Sequence, residues 1–215
     1  MSLRGWTVLL VALAVVGWWF SPVSPRDAHV PASVDGTTTR CVLPPRTGAL
    51  DAPLQSDVPR GLAPIRLQAA TLTPVAGFSI DARVLSREDY TMGRESDLSP
   101  LDLALGWGRM REDAVLEQLE IDQGARFYSY RWQRALVGVS FEEIASSSAN
   151  MHMIPADAAA AEALKRVRAG DRVRIEGWLV NADAADGWYW RTSTTRDDMG
   201  AGACELIYVC SVTRL

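Results

Sequence analysis

The uneven distribution of proline is the feature that most restricts how this chain can fold. Nine of the eleven prolines lie between Pro22 and Pro74. Proline lacks the backbone N–H that helices and inner strands require, so long regular elements are disfavoured where it is frequent. The same stretch shows no sustained hydrophobic period of 2 or 3.6 residues. We therefore predict an extended proline-rich stalk over residues 21–73 and one globular domain over residues 74–215.

The first twenty residues predict a membrane anchor. Arg4 precedes an uncharged apolar run from Trp6 to Phe20, which ends in three aromatic residues. Such a run enters a bilayer, and tryptophan at its end suits the lipid–water interface. The bulky residues and prolines that follow do not resemble a small-residue cleavage site. We predict an uncleaved signal-anchor over residues 1–20, inserted in the inner membrane through residues 6–20, with the domain in the periplasm; secretion after cleavage is the alternative.

Alternating apolar and polar residues predict the strands of the domain. Residues 78–85 (FSIDARVL) and 171–180 (DRVRIEGWLV) alternate over their whole length, and residues 204–212 (CELIYVCSV) are apolar on both faces, as in a central strand. A further strand is predicted at residues 126–132 (RFYSYRW). A hairpin is predicted after Asp186 and Gly187, a common turn pair.

Two segments predict helices. Residues 111–120 carry acids in the first turn, and residues 155–170 offer Asp157 as an N-cap and Gly170 as a C-terminal stop. The predicted fold class is therefore mainly β with two helices (α+β). A capped helix that leads directly into a strand indicates a small, bent antiparallel β-barrel of the OB type.

The three cysteines leave the disulfide pairing open. If Cys204 and Cys210 lie in one strand, their α-carbons are about 20 Å apart, which is too far for a disulfide. In an oxidising compartment Cys41 could pair with Cys204 or with Cys210; alternatively all three are thiols. The sequence has no Cys/His spacing typical of zinc sites, and we predict no metal and no cofactor.

Three polar or glycine-containing segments are the candidates for function: DLALGWGRM (102–110), SSSANMHMIPAD (146–157) and WRTSTTRDDMGAGACE (190–205). All three are predicted to be loops or strand ends, where functional residues usually lie on such scaffolds. The candidate ligand-binding residues are Trp107, Asn150, His152, Arg191, Arg196, Asp197, Asp198 and Glu205.

Each candidate also has a structural interpretation. Trp107 could stack on a ligand or plug one end of the barrel, and the charges of the third segment could be a solvated hairpin loop. His152 is a weak candidate for acid–base catalysis, because the nearby serines lack a nucleophile-elbow context and no orienting acid is identifiable. A structural or ligand-orienting role for His152 is favoured.

The segments DLALGWGRM, SANMHMIPA and DGWYWRTSTTRDDMGAGACE resemble a family of short membrane-anchored proteins of Gram-negative bacteria. The resemblance covers roughly residues 78–210. No activity is attached to that family, so the resemblance implies an envelope location and a single domain, and nothing about mechanism.

The sequence favours a non-catalytic envelope module that binds a partner protein or a small ligand through its loops. One alternative is a hydrolase that uses His152, with Arg191 or Asp197 in support. A second alternative is binding of single-stranded nucleic acid. Without Arg4 the chain carries 21 basic and 26 acidic residues, a net charge of −5, which argues against it. A local patch of Arg172, Arg174 and Arg191 would favour it.

Overall fold

The computed structural model describes residues 3–19, 29–36, 41–48, 52–195 and 204–215. Within them the chain forms four α-helices, two short 3-10 helices and ten strands. The helices are α1 (Leu3–Trp19), α2 (Asp113–Leu116), α3 (Phe141–Ser146) and α4 (Ala158–Arg166), and the 3-10 helices are Arg94–Asp97 and Gly108–Arg111. The strands are β1 (Leu54–Ser56), β2 (Ile65–Arg66), β3 (Thr71–Asp89), β4 (Leu101–Gly106), β5 (Glu120–Gly124), β6 (Phe127–Arg131), β7 (Ser148–Pro155), β8 (Arg172–Asp183), β9 (Tyr189–Trp190) and β10 (Glu205–Arg214).

The protein is mainly β, as predicted, and its main sheet is ring-like. Strands β3, β4, β7, β10 and β8 follow one another, and β8 pairs again with β3. The long strand β3 makes this possible, because Thr71–Arg83 pair with β8 whereas Arg83–Asp89 pair with β4. All these pairs are antiparallel except β7 with β10. Strands β5 and β6 form a separate two-stranded sheet.

The main core lies inside the ring. Phe78, Ile80, Ala82 and Val84 of β3 are buried there, as the alternation of residues 78–85 predicts. All five ring strands contribute to this core. Strand β10 is central, between β7 and β8, as its apolar faces predict.

The proline-rich segment differs from the extended stalk that we predict. Its described parts lie against the ring: residues 52–73 include β1 and β2, which pair with β3, and Leu72 is fully buried. Residues 41–48, which we call the strap, cover the outer face of β3 and β8. A segment without periodicity can dock in this way because single backbone and side-chain bonds suffice, and these leave no repeating pattern.

The two predicted helices have different outcomes. Helix α4 forms with its predicted cap, since the Asp157 side chain accepts a hydrogen bond from the Ala160 N–H at 2.8 Å. The segment 111–120 forms only the single turn of α2, and the chain enters β5 at Glu120. Leu116 and Leu119 pack into a small cluster with Tyr130 of β6, so both side chains are partly buried without a longer helix.

Two of the segments predicted to be loops or strand ends lie mostly within strands. Residues 102–110 lie mostly in β4, and residues 146–157 lie mostly in β7. Both strands are buried on both faces, which is unusual for strands that carry polar residues. Residues 148–153 (SANMHM) nevertheless alternate polar and apolar side chains as a strand does, so the loop prediction overlooked this pattern.

Helix α1 contains 17 residues. In the described part of the chain, no helix has both the length and the hydropathy that crossing a membrane requires.

Candidate functional site

A carboxylate is buried on the outer face of the ring, where β4 and β7 are paired. Asp102 of β4 is fully buried and stands in register with His152 of β7. Its Oδ1 accepts a 2.7 Å hydrogen bond from Nη1 of Arg126, and its Oδ2 accepts one of 3.2 Å from Nδ2 of Asn150. Nδ1 of His152 lies 2.9 Å from Oδ1, although the two atoms are not aligned as a hydrogen bond. Asp102 is therefore the centre of a polar cluster that the pairing of β4 with β7 assembles.

Arg126 reaches this cluster from the turn between β5 and β6. Its Nη2 donates to the carbonyl oxygen of Ser99 at 2.8 Å, and its guanidinium carbon lies 3.7 Å from the centre of the Tyr90 ring. Its backbone N–H donates to the Tyr90 hydroxyl at 3.0 Å. Ala125 and Arg126 have positive φ values of 49° and 68°, a conformation that residues other than glycine rarely adopt. The tip of the hairpin is thus bent into the position that presents this guanidinium to Asp102.

Asn150 connects the hairpin to the ring. Its Nδ2 also donates to the backbone carbonyl of Arg126 at 3.0 Å, and its Oδ1 accepts a 2.7 Å bond from Nε2 of Gln123. The Cys204 sulfur lies 4.0 Å from the same Nδ2. One amide therefore contacts β4, the hairpin and the chain just before β10.

Aromatic side chains line the outer border of the cluster. The imidazole of His152, which is 3% exposed, packs against the Trp190 ring with centroids 4.6 Å apart. Trp188 meets Trp190 edge-on at 6.1 Å. We call Tyr90, Trp188 and Trp190 the aromatic rim; all three are partly exposed. This border combines a stacking surface with the polar cluster behind it.

Two arginines lie over the aromatic rim, and both are paired with acids. Arg94 lies 4.7 Å above the Trp188 ring and donates to both carboxylate oxygens of Asp186 at 2.7 Å. This pairing lowers the pKa of Asp186 to about 2. Burial raises the pKa of the Tyr90 hydroxyl, so this ring stays neutral beneath the Arg126 guanidinium. The rim therefore carries paired charges and neutral rings at neutral pH.

The sequence candidates fall in different places. Asn150 and His152 belong to the cluster. Trp107 is 4% exposed and packs into the core inside the ring. Arg191 is engaged by Asp183 and by the Ala182 carbonyl at the edge of β8. Glu205 is buried in register with Met151, on the opposite face of the sheet from His152.

Arg196, Asp197 and Asp198 lie outside the described residues. The disulfide joins Cys41 to Cys210, with α-carbons 5.3 Å apart, and Cys204 lies beside the polar cluster. Among the residues that the structure describes, no group of three or more His, Cys, Asp or Glu side chains could hold a metal ion.

The three candidate segments do meet, but mainly through residues that were not singled out. The first supplies Asp102, the second supplies Asn150 and His152, and the third supplies Trp190 and Cys204. Asp102 could have been selected from the sequence, because it is the single charged residue in the apolar run LDLALG (101–106). Arg126 could not have been, since its role depends on a hairpin that folds back across the sheet.

The geometry suits recognition better than bond cleavage. The carboxylate, the Ser99 carbonyl and two aromatic rings form a cage for a cation, and they hold a guanidinium in it. The imidazole is covered by Trp190 and lies against a carboxylate that already accepts two hydrogen bonds. A general base needs a nitrogen that reaches the substrate, and His152 is buried.

The chain was also compared with known proteins. No protein-family model, no curated protein and no solved structure matches it. What the site can do therefore follows from its own side chains.

Proposed function

We propose that this protein is a tethered binding module of the bacterial envelope, and that its ring-like sheet is an OB-type barrel. Five strands follow the order β3, β4, β7, β10, β8 around the ring, and helix α4 connects β7 with β8, the third and fourth of these strands along the chain. OB-folds are five-stranded Greek-key barrels that bind ligands on the face of their second and third strands and through adjacent loops. In this chain the corresponding strands are β4 and β7.

The observation that carries the proposal is the position of the aromatic rim. Tyr90 follows β3, and Trp188 and Trp190 lie in the segment that connects β8 with β10. Both segments flank the outer face of β4 and β7, where Asp102 and His152 lie. Half-exposed aromatic rings beside buried polar groups are typical of ligand sites, because rings give stacking area while polar groups fix orientation.

Single-stranded nucleic acid is a second candidate, because bases stack on aromatic rims of this kind. The charge balance speaks against it. Arg94 and Arg126 are paired with Asp186 and Asp102, and the whole chain has a net charge of −4. Phosphate binding depends on unpaired cations and weakens steeply with salt. We therefore favour a small ligand or a peptide segment of a protein partner.

The envelope location is part of the proposal. Helix α1 would serve as an uncleaved signal-anchor in the inner membrane, with the domain in the periplasm, as in the family that the sequence resembles. A disulfide between Cys41 and Cys210 supports an oxidising compartment. Labelling of thiols in intact cells, followed by isolation of the full-length chain, tests this. Cleavage after α1, or a reduced Cys41, would contradict it.

Ligand binding is tested by thermal unfolding of the full-length chain in detergent micelles. Three probes cover the candidate classes: a chito-oligosaccharide, an oligothymidylate and N-acetylargininamide. A ligand at about 100 times its Kd adds about 2.7 kcal/mol to the stability of the folded state, which raises Tm by several degrees. We expect at least one probe to do so, and Trp190→Ala to abolish its effect.

Tyr189→Ala is the matched control. Tyr189 lies between Trp188 and Trp190 in sequence but stacks with Arg191 instead, so its removal should leave binding intact. The proposal fails if no probe shifts Tm, or if Trp190→Ala and Tyr189→Ala weaken binding equally. For the oligothymidylate, loss of the shift on raising salt would identify the nucleic-acid alternative.

A further inference from the structure

We propose that Arg126 is an internal ligand of this site, and that the ligand which displaces it carries a guanidinium group. The tip of the β5–β6 hairpin then acts as a lid over the outer face of β4 and β7. This inference rests on the proposed binding function and names the chemical class that the site recognises.

The surroundings of the Arg126 guanidinium resemble those of a bound cation. A buried carboxylate oxygen of Asp102 lies 2.7 Å from Nη1, and the Ser99 carbonyl lies 2.8 Å from Nη2. The Tyr90 ring lies 3.7 Å from the guanidinium carbon and the Trp190 ring lies 5.6 Å from it. Aromatic faces with a carboxylate are the usual means of binding organic cations. Asp102 lies on β4, Ser99 lies just before it, and the two rings belong to the rim, so the cage does not depend on the hairpin for its walls.

The shape of the cage selects guanidinium over ammonium. Asp102 and Ser99 accept from two different nitrogens of one planar group, and Tyr90 covers its face. A guanidinium presents donors in a fixed plane that fits such a pair of acceptors, whereas an ammonium is a compact point charge. We therefore expect arginine side chains to bind more tightly than lysine side chains.

The tip of the hairpin is suited to opening. Ala125 and Arg126 form the two-residue loop between the paired Gly124 and Phe127, and both adopt the left-handed conformation without glycine, so the hairpin is weakest at its tip. The base of the hairpin is held separately, because Tyr130 packs with Met110, Val115 and Ile144 beside the ring. The tip can leave the cage while the base stays in place.

The first test removes the internal ligand. In Arg126→Ala the cage is vacant and Asp102 is unpaired, so N-acetylargininamide should bind at least tenfold more tightly than to the wild-type chain, because it no longer competes with Arg126. N-acetylcitrullinamide, which has a neutral urea in place of the guanidinium, is the matched control and should not bind. The double variant Asp102→Asn/Arg126→Ala should bind neither. Equal binding of both probes, or no binding of either to Arg126→Ala, would overturn the inference.

The second test uses the wild-type chain and does not depend on the folding of the variant. Millimolar N-acetylargininamide should increase hydrogen exchange of backbone amides in residues 123–127, and N-acetylcitrullinamide should not. Unchanged exchange at concentrations that saturate binding would show that Arg126 stays in the cage, and the lid would be refuted. If a neutral probe binds the wild-type chain and Trp190→Ala abolishes that binding, the proposed function stands and the guanidinium inference falls.

Discussion

The ring has two covered outer faces, and each buries a carboxylate against an arginine from the covering segment. On the face of β3 and β8, Nε of Arg46 in the strap lies 2.7 Å from the Glu176 carboxylate. On the face of β4 and β7, Arg126 of the hairpin pairs with Asp102. The fold thus uses the same pairing twice, since a buried carboxylate needs a charged or hydrogen-bonding partner.

The two covers differ in how they are attached. The strap is joined covalently to β10 by the Cys41–Cys210 disulfide, and its Val42 carbonyl accepts a 2.8 Å bond from the Trp178 indole. It also packs closely: a Cβ on Gly77 would clash with Ser56 and with Pro44 of the strap. The hairpin tip has polar contacts and ring contacts, and its turn is strained. We infer that the strap stays fixed on the face of β3 and β8, which we call the sealed face. The hairpin tip can leave the face of β4 and β7, which we call the openable face, and expose the site beneath it.

The largest effect is expected from Asp102→Asn. This change removes the charge that pairs with the partly buried Arg126, and loss of one partner of a buried ion pair costs roughly 3–5 kcal/mol. The measurement is the free energy of unfolding in urea, with the full-length chain in micelles. Asp81→Asn on the strap face is the matched control, because Asp81 is equally buried and is paired with Arg174 at 3.0 Å.

Asp81→Asn should cost less, since Asp102 contacts three side chains of the polar cluster. A larger loss for Asp81→Asn would reverse the order of the two faces and would mean that Asp102 contributes little to stability.

The next largest effect is expected from removing the disulfide. Cys41→Ser/Cys210→Ser opens a loop of 169 residues, and loss of a native disulfide typically costs about 2–5 kcal/mol. A reducing agent should lower the stability of the wild-type chain by the same amount and leave the double variant unchanged. Cys204→Ser is the control: it keeps the Cys41–Cys210 disulfide, so the reducing agent should lower its stability as much as that of the wild-type chain. A wild-type chain that is as stable in reducing as in oxidising buffer would mean that the strap is held without the disulfide.

Elements with a periodic residue pattern or a capping residue could be predicted from the sequence. The inner face of β3 follows from alternation at Phe78, Ile80 and Val84, and α4 follows from Asp157 as a cap. Strand β7 alternates polar and apolar residues over Ser148–Met153, but its polar residues led to the prediction of a loop or strand end. Its polar residues Asn150 and His152 point to the buried outer face, where they meet partners distant in sequence, and Met151 and Met153 point into the ring.

The candidate site shows the same limit. His152 and Asn150 stood out because of their residue types, but Asp102 is 48 residues from Asn150 in sequence and becomes its partner only through the register of β4 with β7. Arg126 reaches Asp102 because the hairpin turn has positive φ at Ala125 and Arg126, and neither residue type is typical of that conformation. A contact that depends on strand register and on an unfavourable turn leaves no local pattern in the sequence.

A smaller, stabilising effect is expected from Ala125→Gly. Ala125 has φ 49°, a conformation that costs an L-residue about 1 kcal/mol or more and that glycine adopts without this cost. Part of the gain is lost because glycine gives the unfolded chain more conformational entropy. We expect a net gain below about 1 kcal/mol in urea unfolding. Gly187→Ala in the β8–β9 hairpin, at φ 90°, should have the opposite sign. If Ala125→Gly is destabilising, the tip is not strained, and the contrast between the openable and the sealed face loses one of its supports.

The smallest effect concerns the pairing of Arg94 with Asp186 at the aromatic rim. Hydrogen bonding from Arg94 lowers the pKa of Asp186 from 3.8 to about 2. Because the pKa is lower in the folded than in the unfolded chain, the pairing stabilises the fold above about pH 4, and this contribution is lost as the pH falls from about 4 through about 2. Arg94→Gln should therefore be less stable than the wild-type chain at pH 6, and the difference should shrink steadily as the pH falls to about 2.

Both side chains of this pair are largely exposed, so the difference should be small and should shrink in high salt. Urea unfolding between pH 2 and pH 6, at low and high salt, measures it, and Arg94→Gln/Asp186→Asn should show no further pH dependence from this pair. A difference that stays the same from pH 6 to pH 2 would mean that Arg94 acts through its packing on Trp188. In that case the rim is held by ring contacts rather than by charge, and the rim face would be closer in character to the sealed face.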